Sequence, residues 1–137
     1  MGMLTQVDVR DQGENGTEPE EDATVALSNS GIEAPDTLPA GTRTIRVDFT
    51  ENPETFMPYD VNLARLEETT NLDDVVFWMD WSNVGGLRAP APVEFLGGVE
   101  HMAAGNHGYM TVDLSPGRYL WISEINAAQM HKTFTVE

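Results

Sequence analysis

Cysteine is absent from this 137-residue chain. That excludes disulfides, thiolate metal ligands and a cysteine nucleophile, and it leaves the compartment open. Lysine is nearly absent too: Lys132 stands alone, and 7 Lys plus Arg face 23 Asp plus Glu, a formal charge of −16. Such a field repels nucleic acid and anionic membranes, which are bound through cationic side chains, so neither is expected as a partner. Two causes fit the charge. One is a strongly cationic partner. The other is a halophilic setting, because the Debye length shrinks to about 3 Å at molar salt and a carboxylate-rich surface is then tolerated.

Long apolar runs are missing as well, so the chain is not expected to insert directly into a membrane. The opening stretch MGMLTQVDVRDQ has no apolar signal-peptide core. Met1-Gly2 ahead of Met3 fits a vector-derived start, and the expectation is that any export signal has been cut away. No G-x-S-x-G elbow and no phosphate-cradling glycine loop occurs. No catalytic residue is therefore assigned, and the protein is expected not to be an enzyme. Asp73, Asp74 and Asp80 could attract a hard cation, but acids in the first turn of a helix are expected on dipole grounds alone.

What is present is one domain's worth of chain with an ordinary apolar fraction. Asp11 to Asp22, DQGENGTEPEED, is acidic, apolar-free and turn-rich. Residues 1–22 are accordingly read as a flexible acidic segment and residues 23–137 as the folded domain. The rest is mostly strand patterning. Val25 and Leu27 alternate with small or polar neighbours; Ile45, Val47 and Phe49 alternate with Thr44, Arg46 and Asp48. VNLARL places Val61, Leu63 and Leu66 inward, and Met110, Val112 and Leu114 alternate with Tyr109, Thr111 and Asp113. Pro116-Gly117 turns the chain into RYLWIS, and KTFTVE closes it. An edge strand is expected around Val93 to Leu96.

One segment departs from this rhythm. Leu72, Val75, Val76 and Met79 recur at helical spacing, which predicts a short helix over about 71–82 with Thr70 as its cap. Trp78 and Trp81 flank its apolar stripe. Roughly seven or eight short strands with turns between them and one inserted helix predict an all-β two-sheet sandwich.

The order of several motifs narrows this further. Pro35 to Val47 reads P-x-x-L-x-A-G-x-x-x-x-x-V. Tyr59 to Leu66 parallels a segment of the type H-x-x-x-L-x-R-L. Gly97-Gly98, Ala104-Gly105 and Leu114 to Tyr119 (L-x-P-G-x-Y) follow in sequence. From about Ala23 to Val136 the chain resembles the cupredoxin family, most closely exported bacterial cupredoxin-like domains. The resemblance implies a cupredoxin-like Greek-key β-sandwich and an extracytoplasmic location, periplasmic or cell-surface.

In that family type 1 copper is held by His, Cys, His and usually an axial Met. The resemblance lays these positions onto Tyr59, Ser123, Asn126 and Met130, so only the weakest ligand is kept. A blue site needs two imidazoles and a thiolate; tyrosine, serine and asparagine are expected to leave a closed, hydrogen-bonded end instead, with Tyr59, Ser123 and Asn126 bonding one another or a water. The expectation is a non-enzymatic exported binding or accessory domain, without a cofactor, whose partner is an unidentified protein or small ligand. The alternative is copper handling without blue-copper chemistry, through Met130, His131, His101 and Met102, since thioether and imidazole suit Cu(I). The other His and Met residues, His107, Met57 and Met110, are read as loop and core residues. Trp121, in mid-strand, is expected in the core; Trp78 and Trp81 are contact candidates if exposed.

Overall fold

A computed structural model describes Gln6, Asp8 and residues 16–137; the remainder of the acidic N-terminal reading lies outside the described residues. The strands run in order as β1 (Ala23–Ser28), β2 (Gly31–Glu33), β3 (Thr37–Leu38), β4 (Gly41–Phe49) and β5 (Val61–Leu66). The helix α1 (Leu72–Met79) follows, then β6 (Glu94–Val99), β7 (His107–Leu114), β8 (Gly117–Ile122) and β9 (His131–Val136). They form two sheets, β2-β1-β4-β7 and β3-β9-β8-β5-β6. Pairing is antiparallel except for β1 with β4 and β3 with β9, which are parallel. The architecture is the expected two-sheet sandwich with one inserted helix.

The alternating strands deliver their apolar faces between the sheets. Ile45, Val47 and Phe49 of β4 and Met110, Val112 and Leu114 of β7 are all buried in one cluster with Val25, Leu27, Tyr119, Trp121 and Phe134. Trp121 is core, as its mid-strand place implies, and stacks on Phe134 with centroids 5.4 Å apart.

β8 breaks alternation for a reason. Tyr119 and Trp121 face the other sheet, while Leu120 and Ile122 face outward and are also buried. The cover is α1: Leu120, Ile122, Ala64 and Leu66 pack with Val75 and Met79 in a second cluster. Leu66 thus faces the helix and not the sandwich interior, which corrects the inward reading. Burying Val75 and Met79 contributes about 1.5–3 kcal/mol each.

The helix is shorter than its apolar spacing suggests. Its N-cap is Asn71, whose Oδ1 accepts the Asp73 amide at 3.0 Å. Thr70 is unavailable, because its hydroxyl accepts the Glu67 amide in the preceding turn. At the other end the Asp80 carboxylate accepts both the amide and the hydroxyl of Ser82, a local alternative to helix that stops α1 at Met79. The edge strand extends past the expected Leu96 to Val99, with a register shift against β5 at Leu63/Ala64. None of the helices among the described residues is long and apolar enough to cross a membrane.

Candidate functional site

Three neighbouring strands of the larger sheet end together. Asn62 of β5 pairs with Ile122 of β8 on one side and with Gly98 of β6 on the other. Continuing both registers by two residues sets Asp60 beside Glu124 and beside Glu100. The chain holds this row together with side chains. Asp60 is buried, at 4% exposure. Its Oδ1 accepts the Ser123 hydroxyl at 2.6 Å and the Glu124 amide at 2.9 Å. Its Oδ2 accepts the Asn62 side-chain amide at 2.6 Å. Ser123 is fully buried, and its oxygen also accepts the Ile125 amide at 3.1 Å.

The β6–β7 loop is tied to the same place. Tyr59 O accepts the Met102 amide, and Pro58 O accepts from His101 Nδ1 at 2.8 Å. This brings His101 beside Asp60 and Glu124, so that one ligating atom from each of the three lies within 4.8 Å of the others. Asp60, Asn62, Gly98, Val99, Glu100 and Glu124 line a cavity of about 260 Å³. Burial pushes the Glu124 carboxyl above the usual glutamate range, and the neighbouring Asp60 charge adds to it, while His101 pulls the other way.

The β8–β9 loop closes on itself. Ser123 N donates to Met130 O, and the amides of Gln129 and Met130 both donate to Asn126 O. Asn126 carries this turn at φ +56°, a left-handed conformation that asparagine tolerates. Its side chain is exposed. Tyr59 is buried, and its hydroxyl donates to Asn29 Oδ1 at 3.0 Å. The expected mutual bonding of Tyr59, Ser123 and Asn126 therefore does not form: Tyr59 donates to Asn29, Ser123 donates to Asp60, and the Asn126 side chain is exposed.

This sandwich shares its fold with solved structures. An azurin from the obligate methylotroph Methylomonas sp. strain J overlays with a TM-score of 0.57 at 14% identity, over 83% of this chain and 95% of that one. An auracyanin from the photosynthetic bacterium Roseiflexus castenholzii gives 0.58 at 13% identity, over 83% and 94%. The chain has the cupredoxin fold. Auracyanin A of Chloroflexus aurantiacus, a "blue" copper protein, gives 0.58 at 13% identity, over 83% and 96%. No protein-family model and no curated protein matches this sequence.

A cupredoxin of the blue type binds copper through a thiolate and imidazoles. The donors at the positions the resemblance assigns to that centre do not fit it. Ser123 offers a hydroxyl already committed to Asp60 and Ile125. Tyr59 is committed to Asn29, and the Asn126 side chain faces solvent. Met130 is buried in the sandwich core at 1% exposure.

The Met/His quartet is divided among different surroundings. Met130 is core, Met102 packs at the core's rim, and His131 Nδ1 engages Ala127 O of its own loop. His101 alone turns to a cluster of titratable groups, and its companions there are Asp60 and Glu124. Sequence reasoning passed over both, although each directly follows a residue it had singled out, Tyr59 and Ser123. An acid at the mouth of the otherwise buried β5 is the signal that was available.

Proposed function

We propose that this protein is a non-enzymatic binding or accessory domain, exported or attached at the cell surface, that uses the cupredoxin fold without a type 1 copper centre. The observation that carries this reading is the state of Ser123. At the position where the family resemblance calls for the thiolate, a fully buried hydroxyl donates to Asp60 and accepts from the Ile125 amide. A serine oxygen is a hard and weakly acidic donor, and it cannot supply the covalent copper–sulfur bond that gives a blue site its colour and its electron path. The loop that follows is closed by backbone bonds that do not need a metal. The −16 charge fits a high-salt surface or a cationic partner.

The test is optical. Cupric ion is titrated into the purified full chain and the visible spectrum recorded. The expected result is no intense charge-transfer band and no reversible one-electron couple. An intense blue band overturns the reading.

A further inference from the structure

We propose that Asp60, His101 and Glu124 form a binding site for one divalent transition-metal ion of borderline hardness, of which Zn²⁺ is the type. The site adjoins the position that the resemblance assigns to type 1 copper, through the Ser123–Asp60 bond, but its other groups face away from it. Tyr59 and Met130 belong to the cluster between the sheets. Asp60 and Glu124 instead share the cavity with Asn62. By strand alternation Asn62 lies on the outer face, that of Ala64 and Leu66, which pack against α1.

The donor set selects the class of ion. One imidazole and two carboxylates suit zinc and its neighbours; calcium and magnesium prefer all-oxygen shells. Three protein ligands with a water-filled fourth position is an open site, and the cavity of about 260 Å³ leaves room for that water. Gly98 allows β6 to approach β5 closely there, since a Cβ on it would stand 2.5 Å from Val61 O.

The ligands are already oriented. A carbonyl can only accept, so the 2.8 Å contact to Pro58 O puts the His101 proton on Nδ1 and leaves the Nε2 lone pair for an ion. The Asp60 carboxylate is pinned by Ser123 and Glu124 N on Oδ1 and by Asn62 on Oδ2, which leaves one lone pair, on Oδ2, for an ion. The Glu124 side chain supplies the third donor. Ligand atoms sharing one tetrahedral zinc stand about 3.4 Å apart. The 4.8 Å limit on their present spacing therefore requires a closure of about an ångström, within reach of rotation of the partly exposed Glu124 and His101. The setting favours a cation as well: Glu100 lies beside the cluster, its Oε1 3.4 Å from His101 Nε2.

The experiment is calorimetric titration of this chelator-treated chain with Zn²⁺, alongside His101→Ala and Glu124→Gln. One Zn²⁺ per chain, bound tighter than about micromolar, is expected. Each variant removes a direct ligand and should weaken this by more than the roughly 10–100-fold that loss of an outer-shell partner costs, abolishing the Zn²⁺-induced rise in melting temperature. The His101 Nε2 resonance should shift on addition of Zn²⁺ while Nδ1 keeps its proton. Glu18→Gln, which alters the separate contact of Glu18 with His107, should leave binding unchanged. No binding, or binding indifferent to His101→Ala and Glu124→Gln, overturns the proposal, as does loss of binding in Glu18→Gln. Those failures leave the copper-free reading intact, and an intense blue copper band would defeat that reading without touching this site.

Discussion

The Ser123 hydroxyl reaches the Asp60 carboxylate at 2.6 Å across 63 residues of chain. This contact ties the end of β8 to the start of β5 where ladder pairing has already stopped at Asn62 and Ile122. It also settles what a buried acid is doing at the rim of an apolar sheet. Three donors converge on Asp60; without it the Ser123 hydroxyl and the Glu124 amide would lose their acceptor, and the Asn62 side chain would keep only a 3.5 Å contact to Ile122 O.

The first prediction follows from that asymmetry. Ser123→Ala removes one donor and leaves the Ile125 amide without its acceptor, at a cost of about 1–2 kcal/mol. Asp60→Ala strands the Ser123 hydroxyl and the Glu124 amide and removes the shorter of the two Asn62 side-chain bonds, and should cost about 2–5 kcal/mol. Urea denaturation measures both. A Ser123→Ala loss equal to or larger than the Asp60→Ala loss contradicts the arrangement.

Glu124 makes stability depend on pH in an unusual direction. Burial and the Asp60 charge raise its carboxyl pKa in the folded protein above 4.5. A group raised on folding contributes stability that is full below its unfolded pKa and is lost as pH rises through the folded value. Metal-free Glu124→Gln should therefore melt higher than the parent at neutral pH, and the difference should shrink towards zero as pH falls below about 4.3. Thermal melts of both proteins across that range, with chelator present, decide it. A Gln variant less stable than the parent at neutral pH contradicts the cause assigned to the shift.

Glu18 acts with the opposite sign. Its carboxylate accepts Tyr109 Oη at 2.9 Å and His107 Nε2 at 2.7 Å, and Arg46 stands 3.4 Å away. The hydrogen bonds from Tyr109 and His107 hold its carboxyl below the usual glutamate range. Stability from a depressed carboxyl is present above its unfolded pKa and is lost as pH falls through the folded value. Glu18→Gln should remove part of the acid-side decline, with exposure keeping the effect small. Hydrogen exchange of the Thr44 amide, held by the neighbouring Asp22 carboxylate, reports whether residues 16–22 stay docked on β4. Unchanged exchange and an unchanged acid limb in the variant would mean that Glu18 does not anchor this segment.

How much of this was legible in the sequence depends on the range of the forces involved. The alternation at Ile45, Val47 and Phe49 and at Met110, Val112 and Leu114 is a local pattern, and those residues are buried as it requires. The unbroken apolar run Tyr119 to Ile122 also carried information, since only a strand covered on both faces can afford it. Helix ends were harder, because Thr70 and Asp80 spend their side chains on turns that compete with the helix. The placement of Tyr59 and Ser123 at one end came from the family resemblance. The approach of Asp60, Glu124 and His101 did not, because it is set by two long-range registers, Asn62 with Ile122 and Asn62 with Gly98. No local pattern encodes those.

The last prediction concerns the aromatic surface beside α1. Trp81 is 37% exposed and meets Phe56 edge-to-face at 5.5 Å; Phe56 itself is 81% exposed. Trp78 is half-buried, with its indole N–H donated to Ala89 O at 2.8 Å, and Trp121 is sealed in the core. A neutral collisional quencher such as acrylamide should reach Trp81 freely, Trp78 weakly and Trp121 hardly at all, and the acidic surface would not exclude it as it excludes iodide. Trp81→Phe should therefore remove most of the quenchable emission, while Trp121→Phe should raise the quenchable fraction by deleting the shielded component. The Trp81→Phe protein keeps a ring against Phe56 and loses no hydrogen bond, so its stability should stay within about 0.5 kcal/mol of the parent. Quenching that survives Trp81→Phe and disappears with Trp78→Phe would place the accessible indole on the other side of the helix and contradict the packing of Trp78 against Phe95.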